Sequence, residues 1–219
     1  MSYFEDCPLP AELPFIPQKE CNFVLDQITR LVVVRTSADL STHFADAEAV
    51  GVKANWEALL AATGNEKGVL TPPLANVVIP RSEATYFGGG TNETVNGLAI
   101  YTGQDNVTVT GEIHNTPPAI IEALQKVAQE SNGGFGYPRV GVIFFTANGQ
   151  IAFKSTTAKP VGVIPFFNLH VSSPGTEGYK APTIADIGFA LYPDWFHGLQ
   201  VVNPDFDIKE LVNVETVAP

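Results

Sequence analysis

Val107–Val127 reads VTVTGEIHNTPPAIIEALQKV, and Val140–Lys154 reads VGVIFFTANGQIAFK. The first stretch opens with a strict alternation. Val107, Val109 and Ile113 fall on one face with Gly111, while Thr108, Thr110, Glu112 and His114 fall on the other. A period of two with one apolar side predicts a strand with a buried face and a wet face. Thr116 and Pro117 then supply an N-cap followed by proline at the first helical position. From Pro118 to Glu130, Ile120, Ile121, Leu124, Val127 and Ala128 recur at helical spacing, which predicts an amphipathic helix packed on the sheet. Asn132-Gly133-Gly134 ends it. In the second stretch, Ala147-Asn148-Gly149 separates two apolar runs, the strongest short-range hairpin signal in the chain.

Outward from this centre the signals are mostly those of strands. Phe23–Arg35, Leu74–Ile79, Leu98–Tyr101, Val161–Val171 and Thr183–Leu191 all read as β. Prolines on both sides of Leu74–Ile79 place it at a sheet edge. Lys53–Ala62 is a short helix with Trp56, Leu59 and Leu60 on one face, stopped near Gly64-Asn65. Residues 38–51 can be helix or loop, and Leu199–Val217 holds a short strand or helix. No internal repeat is evident. The predicted fold is therefore α+β and β-dominated: mainly antiparallel sheet, as a sandwich or a rolled sheet, with one amphipathic helix packed on it.

Residues 21–219 form a single β-rich domain on this reading, and residues 1–20 an extended arm. In the arm Pro8, Pro10, Pro14 and Pro17 alternate with Phe4, Leu9, Leu13, Phe15 and Ile16. Repeated proline excludes helix and sheet ladders. Apolar residues in such a segment need a surface to lie on, either the same domain or a neighbour, so all five are candidate partner contacts.

Of the 219 residues only 16% are charged, against roughly 25% in an average soluble domain. A weakly charged surface suits burial by neighbouring subunits, with a Thr- and Asn-rich monomer as the plain alternative. The net charge of −11, with basic residues scattered singly, argues against a protein that grips nucleic-acid phosphates. It does suit a surface that nucleic acid must pass without sticking, although simple solubility also explains it. The N-terminus lacks the basic and apolar regions of a secretory signal. The apolar stretch around Val161–Val171 is too short to span a membrane, so a soluble protein made inside a cell is expected.

Tests for catalytic and cofactor chemistry return nothing. Gly88-Gly89-Gly90 lacks the helix that must follow a phosphate-binding loop, and reads as a turn. His43, His114, His170 and His197 form no zinc motif, and Cys7 and Cys21 are too far apart for a metal knuckle. No serine sits in a nucleophile elbow. No catalytic residue, metal or cofactor is expected. Asp194-Trp195-Phe196-His197 looks like an aromatic turn in which Trp195 either plugs the end of the core or meets a partner.

The order of strand, amphipathic helix and Asn-Gly hairpin across VTVTGEIHNTPPAIIEALQKV and VGVIFFTANGQIAFK resembles the helix-in-sheet layout of tailed-phage tail-tube subunits and related injection-machine tube proteins. The resemblance is topological and spans a quarter to a half of the chain. It implies a virion structural protein made in the host cytoplasm, a homo-oligomer whose stacked rings contact other particle proteins, with no membrane partner. It also implies a sheet lining a pore through which DNA passes without adhering, with Thr108, Thr110, Glu112 and His114 facing the lumen. A capsid-surface, connector or fibre-base subunit fits nearly as well. The alternative from another class is a carbohydrate- or ligand-binding β-domain using Trp195.

Overall fold

The computed structural model describes residue 25 and residues 27–90, 94–133, 138–157, 159–176, 178–179 and 181–213. The arm residues Phe4, Leu9, Leu13, Phe15 and Ile16 and both cysteines lie outside them.

Strand β7 (Val140–Thr146) is the spine of the fold, and all seven of its residues are buried. Its run VGVIFFT is apolar on both faces, as a strand covered on both sides must be. One edge pairs antiparallel with β1 (Ile28–Arg35), from Ile28↔Thr146 to Arg35↔Val140. The other edge is shared: β8 (Ile151–Lys154) pairs with its second half and β9 (Ile164–Val171) with its first. Beyond β9 come β11 (Thr183–Leu191), β6 (Val107–His114) and β3 (Ala75–Val78), each antiparallel to its neighbour. Short strands β2 (Val69–Leu70), β10 (Gly175–Thr176) and β12 (Leu199–Val202) pair with β1, β11 and β8. The sheet rolls until β3 comes back to β1. At that seam the Leu74 N–H donates to the Thr29 carbonyl at 2.7 Å, and Gln27 Nε2 donates to the Val77 carbonyl at 3.4 Å.

Two cores result. The inner one gathers one face of the roll, including Leu31, Val109, Val142, Phe144, Phe166 and Ile187. Helix α2 (Pro118–Asn132) adds Ile121, Leu124 and Ala128 to it. Its Gln125 and Asn132 amides donate to the carbonyls of Val171 and Leu169, tying it to β9. The outer core lies behind β1, β7 and β8. There Val34, Ile143, Phe145 and Phe153 are covered by Trp56, Leu59 and Leu60 of α1 (Lys53–Ala61) and by Phe44, Ile208 and Leu211 from the connecting segments. No helix among the described residues is long and apolar enough to cross a membrane.

The α+β, β-dominated fold is as expected, with corrections in detail. Thr116 is not the N-cap of α2: Pro117 holds that position, Pro118 opens the helix, and the Thr116 hydroxyl donates back to the His114 carbonyl. Ile120 is 41% exposed, because the buried stripe runs through Ile121, Leu124 and Ala128 and turns Ile120 outward. Residues 38–51 form 3-10 turns at Leu40–Thr42 and Glu48–Gly51. The strand expected at Leu98–Tyr101 lies at Ile100–Gln104 (β5), and its partner β4 (Ala84–Phe87) was not expected. The Asn-Gly hairpin is a three-residue loop closed by Thr146 and Gln150, with Gly149 at φ 81°.

Candidate interaction faces

The wet face of β6 is as the alternation requires: Thr108, Thr110 and His114 are exposed and Glu112 is half-buried. The register brings further polar groups beside them. Glu112 pairs across with Asp186 on β11, and Thr110 pairs with Gly188, which in turn pairs with His170 on β9. Cross-strand partners project to the same side, so the three strands share one polar surface. Gly188 and Ala190 are too small to fill the middle, and a cleft of about 530 Å³ opens there between Thr108, Thr110, Glu112, Asn168, His170 and Asp186. Asn76 and Asn168, on its two sides, take left-handed backbone angles of φ 50° and 55°, a conformation Asn tolerates better than most residues.

The electrostatics of this face are acidic. The Glu112 carboxylate accepts from His114, with Asn76 also contributing, and these bonds hold its pKa below the usual carboxylate range. A carboxyl held in its ionised form is poorly suited to donate a proton as a general acid. Glu112 and Asp186 side by side make a surface that repels anions. No group of three or more metal-capable side chains exists among the described residues.

A second feature stands apart from the main sheet. Among the described residues, strands β4 and β5 pair only with each other, with Tyr86 opposite Tyr101 and Phe87 opposite Ile100. Tyr86, Phe87, Ile100 and Tyr101 are each more than half exposed, and Leu98 is 66% exposed. The Tyr86 and Tyr101 rings meet edge-on at 6.0 Å. Residues 84–90 and 94–104 contain no Asp, Glu, Lys or Arg. Gly88–Gly90 follow β4 and all three have positive φ, as the turn reading requires; a 3-10 turn at Val95–Gly97 comes before β5.

Trp195 is half-buried. Its indole meets Phe144 edge-on at 6.2 Å and packs on the inner core, so it plugs the end of the roll. Its neighbour Phe196 is the exposed aromatic of the turn, at 52%. Neither the β4–β5 ribbon nor the Asp186–His170 side of the cleft was named from sequence. For the ribbon, aromatic β-formers on both sides of a glycine turn were the available signal.

No family model matches the chain, and no curated protein matches it. Among solved structures it is similar to a chain in the cryo-EM structure of the anti-feeding prophage (AFP) baseplate, 6-fold symmetrised, at 7% identity and a TM-score of 0.34, covering 85% of this chain and all of that one.

Proposed function

We propose that this chain is a structural subunit of a virus-like particle, a tail-tube or tail-connector component whose copies form rings around a passage for DNA. The observation that carries the reading is the β4–β5 ribbon. A two-stranded ribbon is marginal alone in water. Tyr86, Phe87, Leu98, Ile100 and Tyr101 stand exposed along its described residues 84–90 and 94–104, which carry no charge; such a ribbon calls for a partner. On a chain of net charge −11, copies meet with least repulsion where charges are few, and the two strands themselves carry none, with Glu83, Glu93 and Asp105 near them in sequence. The polar face of Thr108, Thr110, Glu112 and His114 then serves as the lumen wall, where Glu112 and Asp186 discourage phosphate from adhering.

Sedimentation velocity and negative-stain microscopy of the purified chain test this directly. Rings or stacked filaments are expected at micromolar concentration, and a monomer at every concentration would overturn the reading. For the passage itself, Glu112→Lys in an intact particle should slow genome ejection while rings still assemble; unchanged ejection removes the lumen role. The carbohydrate-binding alternative draws less support, because Trp195 is half-buried against Phe144 instead of lying open as a platform.

A further inference from the structure

Along the seam between the start of β1 and β3 runs a groove of about 890 Å³, lined by Leu25, Val77, Ile79, Pro80, Trp195 and Phe196. Residues 1–24 join the fold at Leu25, so the arm is attached at the groove itself. Arg81 is the one charged side chain among the described residues lining it, and it makes no ion pair with any described residue. The arm is acidic, with Glu5, Asp6, Glu12 and Glu20 against Lys19. Its prolines remove the N–H groups a ladder needs, and a proline-rich segment loses little entropy when it docks in an extended form. Ile16 precedes Leu25 by nine positions. At about 3.1 Å per extended residue, roughly 28 Å of chain lets it turn back along the groove.

We propose that residues 1–20 fold back into the groove of their own chain. Leu13, Phe15 and Ile16 seat against Ile79, Pro80 and Phe196, and an acidic side chain of the arm pairs with Arg81. The contact closes the seam that the rolled sheet leaves between β1 and β3, and it does not depend on the particle reading.

Photo-cross-linking of the full chain carrying Phe15→p-benzoylphenylalanine tests this, and the same probe at Leu13 guards against a local disturbance at position 15. Mass spectrometry should place the adduct within residues 77–82 or 193–196, in a band of single-chain mass. Arg81→Glu should lower the yield at least threefold with the melting temperature unchanged. Adducts confined to covalent dimers would assign the groove to a second copy's arm and overturn the proposal. Adducts elsewhere on the chain, or none with either probe, would overturn it as well. A yield indifferent to Arg81→Glu removes the charge pairing from it.

Discussion

His114 and Glu112 stand two residues apart on β6, and Nε2 of His114 lies 2.8 Å from Oε2 of Glu112 on the open side of the sheet. That bond is the main reason the Glu112 carboxyl is held below its ordinary range, with Asn76 second. A folded-state pKa below the unfolded one stabilises the fold above the unfolded value, about 4.3 for Glu. The contribution fades as pH falls through the lower folded value. Thermal melts of wild type and Glu112→Gln should therefore differ slightly at about pH 6 and converge near pH 3. A gap that widens on acidification contradicts the assignment. The group is exposed, so the gap is expected to be small.

Trp56 joins α1 to the outer core. It is fully buried, its Nε1 donates to the Val50 carbonyl at 2.7 Å, and its ring lies 4.7 Å from Phe44 and 5.1 Å from Phe145. Trp56→Phe leaves that carbonyl without its partner and opens a void, a loss of about 2–4 kcal/mol. Trp56→Ala should cost about 3–5 kcal/mol. Urea unfolding followed by circular dichroism measures both, and a loss below about 1 kcal/mol for Trp56→Ala would mean that the outer core tolerates its absence.

These two sites differ in how legible they were. The polar face of β6 could be read because alternation is a local property: Val109 in, Thr110 out. The face it shares with Asp186 and His170 was hidden, because the register of β6 on β11, strands more than sixty residues apart, leaves no local trace, and His170 joins the face only through β11. Likewise VGVIFFT announces burial on both sides without naming what covers it, and α1, Phe44 and Ile208 had to come from the structure. The strand β4 escaped because both its faces are largely wet, which leaves no pattern of burial to read. At Ile120 the helical period was right, but the apolar stripe is wider than the surface α2 has to cover.

Gly141 is a packing requirement in β7. A Cβ there would lie 2.6 Å from Val163 Cβ and 3.1 Å from the Ile164 carbonyl oxygen, and it would also strike Val163 Cγ2. The Ile164 carbonyl is backbone of the β7–β9 pair and cannot move aside, while Val163 is partly buried just before β9 and is met at its Cβ as well as at its methyl. Gly141→Ala should destabilise by about 1–3 kcal/mol. Gly175→Ala is the control: its Cβ would meet nothing within 4 Å, and a change within about 0.5 kcal/mol is expected. Equal losses at the two positions would show that backbone freedom, and not crowding, governs both.

The ribbon separates folding from assembly. Ile100 and Tyr101 are 54% and 58% exposed and belong to a sheet that shares no strand with the main one. Changing them removes little from either core, so the double variant Ile100→Ser with Tyr101→Ser should unfold within about 0.5 kcal/mol of wild type. Its sedimentation should nonetheless shift from rings toward single chains, because a hydroxyl replaces each apolar group that a neighbour would bury. If the variant assembles as wild type does, the ribbon is not the contact between copies. If it loses several kcal/mol of stability, the ribbon supports its own chain's fold, and its exposed face says nothing about a partner. Only lost assembly with stability retained assigns Tyr86, Phe87, Ile100 and Tyr101 to an interface.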